Sequence, residues 1–108
     1  MEIEVPKANH SFASLVQRLQ PGVTVEMVRH DVLEQIDALT HPGMAASKLR
    51  MFRPRQVVSC SRARLTLGFD DGSSSDLEWP SAKRVRYDGE AFAVQIPGRD
   101  AWIVYAFR

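Results

Sequence analysis

The chain has 108 residues, 44% of them hydrophobic and 25% charged, and its formal net charge is +1. These values are typical of one globular domain over residues 1–108 and exclude an intrinsically disordered chain. Cys60 is the only cysteine, which excludes an intrachain disulfide, and no apolar run approaches the roughly 20 residues of a membrane helix. The charged amino terminus lacks the pattern of a signal peptide. We therefore expect a cytoplasmic protein that does not associate with membranes.

The first half of the chain is predicted to be mostly helical. Residues 2–5 alternate polar and apolar, which indicates a short edge strand. Asn9 or Ser11 then caps a short helix whose apolar residues recur at helical spacing: Phe12, Leu15, Val16 and Leu19. A second helix is predicted over residues 24–39, with an apolar stripe formed by Val25, Val28, Val32, Ile36 and Leu39. A third, shorter helix is predicted over residues 44–52.

The element that the sequence defines best is a β-hairpin over residues 63–79. Apolar and polar residues alternate along both arms, and a three-residue loop, Asp70-Asp71-Gly72, places Gly72 where a positive φ is required. A slip of one residue would put charge on the core face, so the apolar and the charged pairings agree on one register. That register pairs Leu65 with Leu77, Arg64 with Glu78, and Thr66 with Asp76.

Further strands are predicted on both sides of the hairpin, over residues 56–60, 83–87, 91–96 and 101–107. The pair Asp88-Gly89 is typical of a two-residue type I′ turn. We therefore predict an α+β fold, in which two or three helices within residues 9–52 pack on one face of a four- to five-stranded antiparallel meander within residues 56–107. The predicted core joins both parts and contains Leu65, Leu67, Leu77, Trp79, Val28, Val32 and Ile36.

Positive charge is concentrated in the middle of the chain. Residues 38–69 hold six bases and no acid, whereas residues 70–78 hold four acids. Clustered bases are the electrostatic pattern of phosphate binding, so a nucleic-acid surface is one interpretation. The other is a solvated or ion-paired surface, because acids on the hairpin would interleave with the bases. The basic residues concerned are Lys48, Arg50, Arg53, Arg55, Arg62, Arg64, Arg84 and Arg86.

The residues able to bind metal or act as nucleophiles do not form a recognisable pattern. The three histidines and the single cysteine, His10, His30, His41 and Cys60, have no zinc-site spacing. Each glycine of the hairpins is explained by a turn or bulge, and no glycine-rich phosphate loop is present. We therefore predict no catalytic residue, no metal and no cofactor.

Two stretches resemble the RelE/HigB superfamily of bacterial toxins, which are small ribosome-dependent ribonucleases with a gyrase-directed branch. Residues 45–50, Ala-Ala-Ser-Lys-Leu-Arg, resemble the lysine-leucine run after the family's second helix. Residues 64–72, Arg-Leu-Thr-Leu-Gly-Phe-Asp-Asp-Gly, resemble its arginine-bearing hairpin strand. The predicted order of strand, helix pair and antiparallel sheet also looks like this superfamily. The resemblance implies an mRNA endonuclease in which Arg50, Arg64 and Tyr105 contact phosphate or transfer protons.

The carboxyl-terminal strand is apolar on both faces and allows two accounts. It is either a central strand covered on both sides or an edge strand whose exposed face recruits a partner, and the small number of helices favours the second. The interface residues would then be Ile103, Tyr105 and Phe107. We therefore expect a small non-enzymatic binding protein, a bacterial or phage regulator or inhibitor, that acts on a protein partner or as a homodimer. The alternative is a toxin-like ribonuclease or a nucleic-acid-binding module that uses residues 48–64.

Overall fold

The computed structural model describes residues 3–33 and 52–108, and within these ranges one short helix is followed by seven strands. Helix α1 is Phe12–Arg18, and no helix of these ranges has the length and apolar character needed to span a membrane. The strands are β1 Thr24–His30, β2 Pro54–Cys60, β3 Arg64–Gly68, β4 Ser74–Glu78, β5 Val85–Tyr87, β6 Ala91–Gln95 and β7 Trp102–Phe107. A 3-10 turn, Ala82–Arg84, leads directly into β5.

The strands form one antiparallel sheet in the order β4-β3-β2-β1-β7-β6-β5. Two meanders, β2-β3-β4 and β5-β6-β7, are joined through β1, which pairs with β2 on one side and with β7 on the other. The carboxyl-terminal strand β7 is therefore internal, and β4 and β5 are the two edges of the sheet.

The predicted α+β arrangement is wrong, because the described residues form a mostly β fold in which one helix accompanies seven strands. The error begins at residues 24–30, which form β1 instead of the start of a second helix. The apolar residues Val25 and Val28 are three positions apart, which is a helical spacing, and a β-bulge between Met27 and Arg29 leaves Val28 out of the register with β7. Pairing with β2 and β7 decides the structure over that local pattern. Residues 34–39 and 44–51, which complete the second and third predicted helices, lie outside the described residues.

Two local predictions are confirmed. Helix α1 begins after Ser11, whose hydroxyl oxygen caps it by accepting a hydrogen bond from the Ser14 N–H at 3.1 Å. The β3–β4 hairpin has the predicted register: Leu65 pairs with Leu77, Arg64 with Glu78, and Thr66 with Asp76. Gly72 in the loop has a φ of 86°, a backbone conformation that residues other than glycine rarely adopt.

Two other local predictions are wrong. Residues 3–5 do not form a strand. The β5–β6 connection is not a type I′ turn, because that turn needs a positive φ at both central residues and Gly89 alone of the pair has one. Instead, Asp88 Oδ1 accepts hydrogen bonds from the N–H groups of Glu90 and Ala91, both at 2.9 Å, and closes a longer loop.

The sheet curls around one main hydrophobic core. Phe92 of β6 is fully buried and stacks on Tyr105 of β7, with the ring centroids 5.0 Å apart. The Phe92 ring also lies 6.0 Å from the ring of Trp79, which follows β4 at one edge of the sheet. Side chains from α1 and from both ends of the sheet complete the same cluster: Leu15, Leu19, Val25, Met27, Val57, Leu65, Leu67, Val85, Tyr87 and Val94. Strands at both edges share one core, so the sheet is strongly curved.

The predicted core is confirmed in part. Its hairpin members are buried in the main core or packed against it, namely Leu65, Leu67, Leu77 and Trp79. Val28 packs instead in a second, smaller cluster on the opposite face of the sheet, together with Ala93, Trp102 and Val104. Ile36 lies outside the described residues, so its burial stays a prediction.

Candidate protein-binding cleft

A cleft of about 600 Å³ opens between the end of β4 and the end of β6. Its walls are mostly apolar and come from four strands and the segments that follow them: Val32, Leu77, Trp79, Pro80, Val94, Ile96, Pro97 and Ile103. Four polar residues complete the lining: His30, Glu78, Gln95 and Arg99. An apolar wall with a few polar groups, at this volume, is typical of a site that binds a ligand or a chain segment.

The sheet topology explains why the cleft lies at this position. The edge strand β5 begins at Val85, which pairs with Val94 of β6. The last residue of β6, Gln95, and the segment after it therefore have no β5 residue beside them. β4 is the other edge of the same curled sheet. The chain passes from one edge to the other through residues 79–84, and the space that remains between the edges is lined by the ends of β4 and β6.

The polar groups of the lining are held by local hydrogen bonds. His30 Nδ1 accepts a hydrogen bond from the Leu33 N–H at 3.1 Å, which fixes the ring at the end of β1. The Gln95 side-chain amide donates to the Arg99 carbonyl oxygen at 3.1 Å. Glu78 and Arg99 are the exposed charged residues of the lining.

Along the edge of β4 that is turned away from β3, backbone N–H and C=O groups have no strand partner in the part of the chain that the structure describes. The Trp79 N–H bonds the Ala63 carbonyl at 3.1 Å and the Phe69 N–H bonds the Ser73 carbonyl at 2.8 Å. Because antiparallel bonding alternates, every second residue of β4 directs its N–H and C=O away from β3. Those residues are Ser74, Asp76 and Glu78, and we call this side of β4 the open edge.

The opposite edge of the sheet is covered by the chain itself. The N–H groups of Asn9 and His10 both reach the Tyr87 carbonyl oxygen of β5, at 3.3 and 3.0 Å. The His10 ring lies against the Tyr87 ring, with centroids 5.3 Å apart. β5 is also only three residues long. A short, covered strand is one of the ways in which proteins protect a sheet edge, and among the described residues β4 has no such cover.

Negative charge is concentrated along the β4 hairpin. Residues 70–78 hold four acids and no base, and the side chains of Asp76 and Glu78 are 52% and 82% exposed. The Arg64 guanidinium on β3 comes no closer than 3.8 Å to the Asp76 carboxylate and 3.9 Å to the Glu78 carboxylate. Exposed pairs at such distances contribute little to stability, and the two carboxylates outnumber the one guanidinium, so the outer face of β4 keeps a net negative charge.

The structure distributes the predicted basic residues over different surroundings. Arg55 is 2% exposed, with its guanidinium 4.7 Å from the centre of the Phe69 ring and Nη1 donating to the Tyr105 hydroxyl at 3.4 Å. Arg64 lies on the outer face of β3 beside the acids of β4, and Arg86 stacks on the Trp102 ring at 4.5 Å. Exposed positions are occupied by Arg53, Arg62 and Arg84. Lys48 and Arg50 lie outside the described residues.

The three residues predicted to form a partner interface lie on an internal strand. The edge position expected for this strand is wrong, since β7 has β1 and β6 as neighbours. Tyr105 is 4% exposed, and its burial raises the pKa of its hydroxyl although the Arg55 guanidinium opposes the effect. Ile103 and Phe107 are partly buried against the main core, and Ile103 also lines the cleft. The cleft thus contains one of the three predicted interface residues.

The residues that the toxin resemblance names are not brought together. Arg64 points to the outer face of β3, whereas Tyr105 points into the core on the opposite face of the sheet. Arg50 lies outside the described residues. The helix pair before the sheet is absent from residues 3–33 and 52–108, so the element order that supported the resemblance is not observed there.

No protein-family model matches the chain, and neither the curated proteins nor the solved structures include a match. Among the described residues, no three His, Cys, Asp or Glu side chains come close enough together to hold a metal ion. Cys60 is half-buried beside the β2–β3 turn, and burial raises the pKa of its thiol, which favours the less reactive protonated form. The cleft and the open edge are therefore the candidate functional features of the part of the chain that the structure describes.

Proposed function

We propose that this protein is a small non-enzymatic binding module that takes an extended segment of a protein partner along the open edge of β4. The observation that carries the proposal is that Glu78 belongs both to the open edge and to the cleft lining. A strand added at this edge would bond to the backbone of Ser74, Asp76 and Glu78 and place its alternate side chains over the apolar wall. Strand addition of this kind combines backbone affinity with side-chain specificity.

The difference between the two sheet edges supports this proposal. An edge without cover is a template for further strands, and covering an edge is one of the ways in which natural proteins prevent such pairing. Here the chain covers β5 with residues 9–10 and leaves the longer strand β4 open in the described part of the molecule. One usable edge would give a complex with a single added strand rather than a filament.

A partner protein fits the open edge better than a second copy of this chain. Joining two β4 strands edge to edge would bring Asp76 and Glu78 of both copies onto a shared surface, where like charges destabilise strand pairing. The homodimer is therefore the weaker of the two partner hypotheses. In this proposal the protein acts in the cytoplasm as a regulator or inhibitor of its partner.

Selection from a random peptide library displayed on phage tests the proposal, because such a library samples many candidate segments at once. Enriched peptides should shift the amide resonances of β4 and of the cleft residues. Two variants at one position separate backbone pairing from charge. Glu78→Pro removes the outward N–H, while Glu78→Thr removes the same carboxylate and keeps the N–H. Because edge strands tolerate proline, both variants should fold, which circular dichroism would verify.

We expect Glu78→Pro to weaken the enriched peptides about tenfold relative to Glu78→Thr, the equivalent of one lost hydrogen bond in a closed interface. Equal binding by the two folded variants would contradict strand addition. An empty selection, or peptides that shift only resonances remote from β4, would contradict the proposed site.

A further inference from the structure

We infer that the segment bound at the open edge alternates basic and apolar residues. This inference rests on the proposed function and adds the chemistry of the partner. It follows from the two faces of β4, which differ in character at successive residues. Leu77 points to the core side and packs against the main core, while Asp76 and Glu78 point to the outer side and are exposed.

The core-side residues of the added strand are specified by the cleft. Side chains of adjacent strands that share a face lie about 5 Å apart at directly opposed positions. A residue placed opposite Leu77 on that face would lie over the wall formed by Leu77, Trp79 and Ile103, which is apolar and partly exposed. Leucine, isoleucine, valine or an aromatic residue would remove that surface from water, whereas a charged residue would lose its hydration there.

The outer-side residues of the added strand are specified by charge. They would lie beside Asp76 and Glu78, whose side chains are 52% and 82% exposed and which Arg64 approaches at 3.8 and 3.9 Å. Asp76 Oδ1 also accepts a hydrogen bond from the Thr66 hydroxyl at 2.8 Å. Lysine or arginine at alternate positions of the partner would pair with these carboxylates, and acids there would be repelled.

Acids on an edge strand also have a simpler interpretation. Charge at an edge discourages unwanted strand pairing, and Asp76 and Glu78 would serve this purpose without any partner. That account predicts that every alternating peptide binds weakly or not at all, whatever its charge. The two accounts therefore differ in a measurable quantity, the dependence of peptide affinity on peptide charge.

Three synthetic peptides of equal length test the inference by fluorescence anisotropy with the full chain. They share the same leucine and valine positions and carry arginine, glutamine or glutamate at the alternate positions. We expect the arginine peptide to bind roughly tenfold more tightly than the glutamine peptide, and the glutamate peptide to bind more weakly still. Added salt should reduce this preference, because the charges are exposed to solvent.

The variant Asp76→Asn/Glu78→Gln should lose the preference for arginine while it keeps the affinity for the glutamine peptide. The matched control is Glu4→Gln/Glu90→Gln, which changes the net charge by the same amount at exposed positions outside the cleft lining. It should keep the preference.

Equal affinity of the wild type for the three peptides would overturn the basic–apolar inference and leave strand addition standing. An equal loss of the arginine preference in the Asp76/Glu78 variant and in the Glu4/Glu90 control would do the same. Failure of all three peptides to bind would overturn the inference as well. The proposed function is judged separately, by the library selection and by the two Glu78 variants.

Discussion

At the scale of single residues, Asp31 connects three parts of the described chain. Its Oδ1 accepts a hydrogen bond from Arg29 Nε at 2.6 Å, and its Oδ2 accepts one from the Trp102 N–H at 2.8 Å. Arg29 in turn donates from Nη1 to the Ile3 carbonyl at 2.7 Å. The Asp31 carboxylate thus connects the end of β1 to the start of β7 directly, and to the amino-terminal segment through Arg29.

The hydrogen bond from Arg29 lowers the pKa of Asp31 below its ordinary value of 3.8, against the opposing effect of burial. A carboxyl group with a lowered folded-state pKa stabilises the fold above its unfolded pKa, and this stabilisation is lost as the pH falls through the folded-state pKa. We therefore expect Asp31→Asn to reduce the free energy of unfolding by about 1–3 kcal/mol at neutral pH. The difference from wild type should shrink below about pH 4.

Urea denaturation at a series of pH values measures this difference. Asp100→Asn is the control, because Asp100 is an exposed acid at a turn. It should change the free energy of unfolding by less than about 0.5 kcal/mol. A deficit for Asp31→Asn that stays constant from neutral pH to strong acid would show that the carboxylate charge is not what stabilises this junction.

At the scale of elements, α1 contributes more to the core than its seven residues suggest. Its Leu15 is fully buried, and Leu19, just after the helix, is 1% exposed. Isolated helices of this length are not stable in water, so tertiary packing and the Ser11 cap must hold it. The helix closes part of the core that the curled sheet leaves open.

Removal of the cap by Ser11→Ala should lower the free energy of unfolding by about 0.5–2 kcal/mol. Ser81→Ala is the matched control, since Ser81 precedes the 3-10 turn without making a side-chain capping bond. Thermal or urea unfolding of the two variants gives the comparison. Equal losses would mean that the Ser11 hydroxyl does not stabilise α1.

The sequence predicts those elements whose pattern is set within a few residues. The β3–β4 hairpin is of this kind, because its loop glycine, its alternation and its charge pairs all select the same register. β1 is not, because its bulge at Val28 disturbs the alternation and its partners β2 and β7 are distant in the chain. A prediction from local spacing therefore places a helix where long-range pairing makes a strand.

The candidate site is predicted from the sequence only in part. The hairpin register sets Asp76 and Glu78 on the outer face of β4, as predicted. The predicted meander makes β4 an internal strand, however, and the observed strand order places it at an edge. The cleft needs the order of the strands, since Leu77 and Ile96 come from opposite ends of the sheet and meet only because it curls. The same missing information led to β7 being placed at an edge when it is internal.

At the scale of the whole molecule, the two edges of the sheet differ in length, charge and cover. One edge is short and covered by residues 9–10, and the other is longer, acidic and open beside an apolar cleft. Curvature brings the two edges toward each other, so a strand added to β4 would lie over the cleft rather than extend the sheet outward. The central claim is that this position accepts a strand from a partner.

Amide hydrogen exchange of Asp76 and Glu78 tests that claim most directly, with and without a peptide enriched by selection. Both N–H groups point away from β3, so in the free protein they should exchange faster than those of Ser75 and Leu77, which bond to β3. On binding, the account predicts that exchange at Asp76 and Glu78 slows to the rates of their neighbours. Unchanged exchange at these two amides, with a bound peptide and protection elsewhere, would contradict it.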